Sequence, residues 1–240
     1  MKMKPVLALA FLMLCLALTA QVEVTGLLTE NMTEPVGIDA ARPRFSWQLL
    51  SDKRNTLQTA YELRVSEGTK TVWNSGIVNS DQSVHVLYAG EPLRSGRDYN
   101  WQVRVWINGG KRSAWSPMAK FRTGMLDGSG WKAKWIEPGY VEDSVMRPSP
   151  MMRKEFTVKG KIIRATAYIT AHGIYEAELN GKRIGDAFLT PGWTSYGKRL
   201  QYQAYDVTPM LRSGRNAVGV TLGSGWYRGN IGFRNSVNFY

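Results

Sequence analysis

Hydrophobic and polar side chains alternate along most of this chain, so that the period of hydrophobicity from Arg42 onward is two residues. In the segment 99–107, Tyr99, Trp101 and Val103 alternate with polar residues such as Asn100. Successive side chains of a β-strand point to opposite faces, so this pattern predicts half-buried strands. The segments 45–49 and 61–66 repeat it, and no useful helical period of 3.6 residues follows the first twenty residues. The pattern therefore predicts an all-β protein.

Short turn sequences separate the strands of the first half. They are Glu67-Gly68, Asn74-Ser75-Gly76, Arg94-Ser95-Gly96 and Asn108-Gly109-Gly110, of which the last is typical of a hairpin. Short strands at this spacing over about 100 residues indicate a β-sandwich. We assign it to residues 21–124.

The second half is organised in the same way, after a glycine-containing linker assigned to residues 125–136. Strands are predicted at 152–158, 162–171, 175–179, 200–205 and 217–222. Asn180-Gly181 predicts a hairpin turn. Thr208 and Pro209 suit the cap and first position of a short helical turn.

The first twenty residues have the pattern of a secretory signal peptide. Lys2 and Lys4 precede the apolar run 5–18, which ends in small residues before Gln21. The run is too short to span a bilayer, and no second candidate follows, so we expect a soluble protein that is secreted, periplasmic or at the cell surface. Cys15 is the only cysteine. It is expected to be removed together with the signal peptide, and the alternative is that it is a lipidation site. A chain that begins near Gln21 has no thiol for a disulfide or a metal.

The formal net charge of +12 raises the question of a nucleic-acid partner. The 31 Lys and Arg residues are spread along the whole sequence rather than grouped in runs. A phosphate-tracking surface needs clustered cations, so solvated strand faces explain the charge better and no nucleic-acid partner is expected.

Several segments together resemble a known family. The stretch 99–105, followed by 113–116 and 121–123, resembles the closing strands of a fibronectin type III domain. The flanking segments that complete the resemblance are Arg-Pro-Arg-Phe-Ser-Trp at 42–47, Gly-Trp-Lys-Ala-Lys-Trp-Ile at 130–136, Glu-Leu-Asn-Gly at 178–181, Leu-Thr-Pro-Gly-Trp-Thr-Ser-Tyr at 189–196, Tyr-Asp-Val-Thr at 205–208 and Gly-Ser-Gly-Trp-Tyr-Arg-Gly at 223–229. In this order they are similar to bacterial α-L-rhamnosidases of glycoside hydrolase family 78.

The resemblance implies that residues 137–240 are the rhamnosidase N-terminal domain, a jelly roll. Enzymes of this family place two catalytic acidic residues in a large helical barrel after such domains, and they hydrolyse terminal α-L-rhamnose with inversion. No such helices are predicted here, so no catalytic residue carries over, and no cofactor or metal is implied. We expect this chain alone to be inactive and its jelly roll to be truncated. A gene fragment, a frameshifted remnant and a deliberately cut chain would all give this sequence.

The remaining candidates for chemistry are few. His85 and His172 lie far apart in apolar strand contexts and are interpreted as structural. Glu176 and Glu178 share one strand face, but same-face carboxylates are more often solvated than catalytic. Residues 223–229 are glycine-rich but lack the Lys-Ser/Thr ending of a phosphate loop.

Aromatic residues in glycine-rich turns are the candidate carbohydrate-binding residues. The rings of Trp193, Tyr196, Trp226 and Tyr227 are of the kind that stacks on a pyranose, and Arg228 and Asn230 are predicted to bond its hydroxyls. The alternative is that these rings pack against the jelly roll or a following domain. The predicted partners are therefore rhamnose-containing glycans or the absent catalytic domain. As a whole, the chain is interpreted as the non-catalytic part of a rhamnosidase-like protein, with a stand-alone carbohydrate-binding module or a structural adhesion protein as alternatives.

Overall fold

The computed structural model describes residues 22–128, 130–143, 145–146 and 148–229. Their regular secondary structure consists of strands and one short 3₁₀ turn, so the predicted all-β class is confirmed. The chain divides after Thr123 into two compact units. The predicted signal peptide, with Cys15, lies outside the described residues.

The first unit is a sandwich of a three-stranded and a five-stranded sheet. Its strands are β1 (Glu23–Thr29), β2 (Val36–Ile38), β3 (Arg44–Leu50), β4 (Gln58–Glu67), β5 (Lys70–Asn74), β6 (Val86–Leu87), β7 (Asp98–Ile107) and β8 (Ala119–Thr123). The sheet orders are β1-β3-β6 and β2-β8-β7-β4-β5. Neighbouring strands are antiparallel except for β2 and β8. This arrangement agrees with the sandwich predicted from the alternating pattern.

Large aromatic side chains fill the core between these two sheets. Trp101 on β7 is 1% exposed, and its ring centroid lies 4.7 Å from that of Phe45 on β3. Its indole nitrogen donates a hydrogen bond of 3.0 Å to the hydroxyl of Thr29 on β1. Trp47 makes a similar buried bond to the side-chain oxygen of Gln58, at 3.0 Å. Each indole thus has a partner for its polar group, as burial requires.

The described residues of the second unit form six strands. They are β9 (Met151–Val158), β10 (Thr166–Ile169), β11 (Ile174–Leu179), β12 (Lys182–Arg183), β13 (Gln203–Asp206) and β14 (Gly214–Gly223), with a 3₁₀ turn at Thr208–Met210. A four-stranded sheet has the order β12-β11-β14-β9, and a two-stranded sheet pairs β10 with β13. Tyr175, Ala177 and Leu179 on β11 form the buried centre, against which side chains of β9, β10, β13 and β14 pack.

Two local predictions for this unit differ from the structure. The predicted strand 162–171 is regular only over Thr166–Ile169. Thr208 lies within the 3₁₀ turn rather than at its cap, which is Val207. The Thr208 hydroxyl instead accepts the backbone N–H of Ala165 at 2.9 Å, while the Asp206 carboxylate accepts the N–H of Thr208 at 3.0 Å. Both side chains therefore satisfy backbone groups near this turn, as short polar side chains commonly do.

Candidate binding site

A cavity of about 650 Å³ lies within the second unit. Side chains of β9, β10 and β14 line it, among them Met152, Ile169, Val220 and Leu222. Further walls come from the described residues of the segment 131–150, which contains no regular strand and which we call the strap. Residues that follow β10 and β14 complete the lining, among them His172, Tyr227 and Arg228. This volume is typical of a small-molecule site, for which about 300–1,000 Å³ is usual.

An aromatic stack joins the strap to the rest of the unit. The His172 ring lies between Trp135 of the strap, at a centroid distance of 4.5 Å, and Tyr227, at 4.4 Å, with both ring pairs inclined by 12°. Tyr196 meets the edge of Tyr227 at 5.3 Å. Parallel rings at such distances attract each other beyond simple burial. The stack thus holds the strap beside the end of β14.

Glycines explain why His172 and Tyr227 come together. Gly173 has a φ of +91°, and a Cβ there would lie 2.3 Å from the carbonyl oxygen of Gly223. Gly225 has a φ of +52°, and a Cβ there would lie 3.0 Å from the carbonyl carbon of Gly173. Only residues without side chains permit this close approach of two backbones. The glycines at 223 and 225 of the glycine-rich run 223–229 therefore serve backbone packing.

An ion pair makes a second connection between the strap and the end of β14. The two terminal guanidinium nitrogens of Arg228, Nη1 and Nη2, donate to the carboxylate of Glu142, the second at 3.2 Å. Both residues line the cavity, and their side chains remain 28% and 31% exposed. A two-pronged pair of this kind fixes orientation as well as distance. It presents both hydrogen-bond donors and acceptors at the cavity wall.

The structure divides the predicted carbohydrate-binding residues into two groups. Tyr227 and Arg228 line the cavity, and Tyr196, which is only 7% exposed, packs on Tyr227. Trp193 and Trp226 instead stack on each other with a centroid distance of 6.0 Å and an angle of 1°, and Trp193 is 55% exposed. Neither of these tryptophans lines the cavity. Asn230 lies outside the described residues.

Of the other residues considered in the sequence, Glu176, Glu178 and His85 lie away from this cavity, whereas His172 lines it. Glu176 and Glu178 share the exposed face of β11, as predicted, and Glu176 pairs with Arg183 at 3.4 Å. His85 is exposed and contacts the Asn31 side chain at 2.8 Å. Neither histidine lies in a strand. The described residues contain no group of three or more His, Cys, Asp or Glu side chains placed to hold a metal.

One titratable group inside the second unit has a strongly shifted pKa. Burial, reinforced by a contact with the Tyr205 hydroxyl, raises the pKa of Tyr175 well above its usual range. The Tyr175 hydroxyl donates to the side-chain oxygen of Gln203 at 2.8 Å. Tyr175 therefore stays protonated at neutral pH and acts in packing rather than in proton transfer.

Sequence reasoning missed Trp135, Glu142 and the stacking of His172. Trp135 falls within the predicted linker, and Glu142 belongs to no sequence motif that indicates a function. Their partners are 37 and 86 residues away in the sequence (172 − 135 and 228 − 142). The only available signal was the single His172 beside a glycine, which by itself indicates no ligand.

Comparisons with known proteins agree on the region that the chain represents. Residues 24–127 match the family described as Rha78A-like, N-terminal immunoglobulin domain. Residues 160–240 match the α-L-rhamnosidase N-terminal domain. An α-L-rhamnosidase of Formosa agariphila is 35% identical over 222 residues, which are 87% of this chain and 24% of that protein.

Solved structures give the same result. The α-L-rhamnosidase of Dictyoglumus thermophilum is similar with a TM-score of 0.79 and 38% identity, covering 85% of this chain and 25% of that one. The native α-L-rhamnosidase of Aspergillus terreus has a TM-score of 0.79 and 33% identity, covering 89% and 25%. The chain thus spans about a quarter of the length of these relatives. The described residues include no helix with the length and hydrophobicity needed to cross a bilayer.

Proposed function

We propose that this chain, which carries the two N-terminal domains of the α-L-rhamnosidases, forms the non-catalytic β-domain part of an enzyme that hydrolyses terminal α-L-rhamnose. The observation that carries the proposal is the match of 87% of this chain to only 24% of the Formosa agariphila enzyme. We also propose that the second unit is part of a jelly roll, which its packed four-stranded and two-stranded sheets support.

The carboxylates of the described residues support a non-catalytic role. Glycoside hydrolysis needs two carboxyl groups on opposite sides of the scissile bond, one of them protonated. Glu176 and Glu178 project from one exposed face, where neither carboxyl group is desolvated, and Glu176 is ion-paired. Glu142 lines the cavity but is bound to Arg228 through both oxygens.

The purified 240-residue chain is expected to release no product from an aryl α-L-rhamnoside above the blank rate. The measurement is the absorbance of the released phenol, with the full-length Formosa agariphila enzyme assayed in parallel to show that the substrate is competent. Turnover by the chain that disappears in a Glu176→Gln, Glu178→Gln double variant would contradict the proposal. The coding sequence downstream gives an independent test, since the proposal expects a helical catalytic region there.

We further propose that the protein is exported through the signal peptide assigned to residues 1–20. The positively charged start and the apolar run 5–18 support this. Mass spectrometry of the protein from its native cells is expected to find a mature N-terminus at Gln21. A diacylated N-terminus at Cys15 would establish the lipoprotein alternative instead, and an intact Met1 would contradict export.

A second candidate function is carbohydrate binding by Trp193 and Trp226. The supporting observation is their parallel stacking at 6.0 Å together with the 55% exposure of Trp193. An exposed indole face offers an apolar surface to the C–H groups of a sugar ring. The Trp193→Ala variant in the titrations described below tests this candidate.

A further inference from the structure

We infer that the cavity between the strap and strands β9, β10 and β14 is a binding site for a neutral pyranose sugar, which the Glu142–Arg228 pair holds by its hydroxyl groups. The site differs from the exposed Trp193–Trp226 pair, because neither tryptophan lines the cavity. The choice of a rhamnoside as the sugar to be tested rests on the proposed function. The location of the site does not.

The walls of the cavity suit a ligand with an apolar side. Met152, Ile169, Val220 and Leu222 line it together with the aromatic residues Trp131 and Tyr168. A pyranose has faces made of C–H groups, and a 6-deoxy sugar adds a methyl group. Such surfaces gain free energy when they leave water for aliphatic and aromatic walls.

The charged residues of the cavity indicate that the ligand is neutral. The four Lys, Arg, Asp and Glu side chains that line it carry two positive and two negative charges, namely Lys134, Arg228, Glu137 and Glu142. An anion that bound Arg228 would face the Glu142 carboxylate directly, and a cation at Glu142 would face the guanidinium. Like charges in such close contact disfavour both ligands.

A ligand with neighbouring hydroxyl groups fits the Glu142–Arg228 pair. A hydroxyl both donates and accepts, so one hydroxyl can donate to the Glu142 carboxylate while the next accepts from the Arg228 guanidinium. Both side chains line the cavity and keep about 30% of their surface exposed. Hydrogen bonds to charged groups are about twice as strong as neutral ones.

The experiment is a titration of the full chain with methyl α-L-rhamnopyranoside, followed through the ¹H–¹⁵N signals of the tryptophan indoles. Saturable shifts of the Trp131 and Trp135 signals are expected, with the acyclic polyol sorbitol giving none at equal concentration. Arg228→Gln and Glu142→Gln are each expected to weaken binding at least tenfold. Arg228→Lys, which keeps the charge but loses the planar fork, is also expected to weaken it.

One variant serves as the matched control. Arg215→Gln removes an exposed arginine that is paired with Glu155 at 2.9 Å outside the cavity, so binding is expected to remain unchanged. The Trp193→Ala variant instead tests the second candidate function, because loss of binding in this variant alone would place the sugar on the exposed Trp193–Trp226 pair. The unchanged indole spectrum of the first unit shows that each variant is folded there, and the β11 and β14 amide signals show the same for the second unit.

The outcomes separate this inference from the proposed function. Absence of saturable shifts, equal binding by the Glu142 and Arg228 variants, or loss of binding only in Trp193→Ala would each overturn the cavity site. Binding in the cavity by a chain whose downstream coding sequence is unrelated to a hydrolase would keep the site and refute the rhamnosidase assignment. If the downstream sequence encodes a rhamnosidase-type catalytic region but the cavity binds no sugar, the rhamnosidase assignment stands and the cavity site is refuted.

Discussion

Replacing Trp101 with alanine is expected to lower the free energy of unfolding of the first unit by about 3–5 kcal/mol, the usual cost of removing a buried aromatic ring. Trp101 is 1% exposed and packs on Phe45. Its loss also leaves the Thr29 hydroxyl, itself in a residue 1% exposed, without its indole donor. The total free energy of unfolding of a native domain is about 5–15 kcal/mol, so the variant loses a large part of its stability.

The measurement is urea unfolding of residues 21–123, which contain the whole core of this unit and are expected to unfold in one cooperative transition. With a slope of about 1–3 kcal/mol per molar urea, the midpoint falls by roughly 2 M. Trp106→Ala is the matched control, because Trp106 lies on the same strand but points to the half-exposed face. Equal losses at both positions would show that core burial of the indole is not what stabilises the unit.

The alternating pattern predicted these cores well because a strand has a fixed period. Tyr99, Trp101 and Val103 are buried while Asn100 and Gln102 are half-buried, as the period of two requires. The segment 162–171 shows where the pattern fails. It contains alternating apolar residues, but only Thr166–Ile169 has a pairing partner, namely β13. Strand bounds depend on the neighbouring strand as well as on the chain itself.

The candidate site was less predictable, because its residues meet only through the tertiary fold. The aromatic residues of the glycine-rich turns were identified as a group, but their separation into a cavity group and an exposed pair follows from backbone geometry at Gly173 and Gly225. Trp135 joins the site by stacking on His172. No local period connects residues at such distances in the sequence, so spacing arguments do not detect them.

A buried asparagine network closes one end of the second unit. Asn216 is 3% exposed, and its side-chain oxygen accepts from the Arg212 N–H at 3.0 Å and from the Asn180 amide at 2.9 Å. Its amide donates to the carbonyls of Arg212 and Gly214, at 2.8 and 2.9 Å. Asn180 in turn accepts the Ala217 N–H at 3.0 Å and so joins the hairpin turn to β14. Every polar atom of the Asn216 side chain is therefore in use.

Replacing Asn216 with alanine is expected to destabilise the second unit by about 2–3 kcal/mol. The cause is the loss of partners for several backbone groups, each costing about 1–3 kcal/mol if fully buried. Arg212 is exposed, so water replaces part of the hydrogen bonding that its backbone N–H and carbonyl lose. A loss of about 1.4 kcal/mol raises the equilibrium constant for opening tenfold. Amide exchange in β11 and β14, which requires opening, should therefore accelerate roughly 30- to 150-fold.

Hydrogen–deuterium exchange on the full chain checks this prediction with two controls. Peptides from β4 and β7 of the first unit are expected to exchange at the unchanged rate, since the side chain of Asn216 makes these hydrogen bonds to Asn180, Arg212 and Gly214 of the second unit. Thr221→Ala changes the same strand on its outer face, opposite Glu176, and is expected to alter stability by less than about 0.5 kcal/mol. If Thr221→Ala accelerates exchange as much as Asn216→Ala, the asparagine network is not what holds β14 in place.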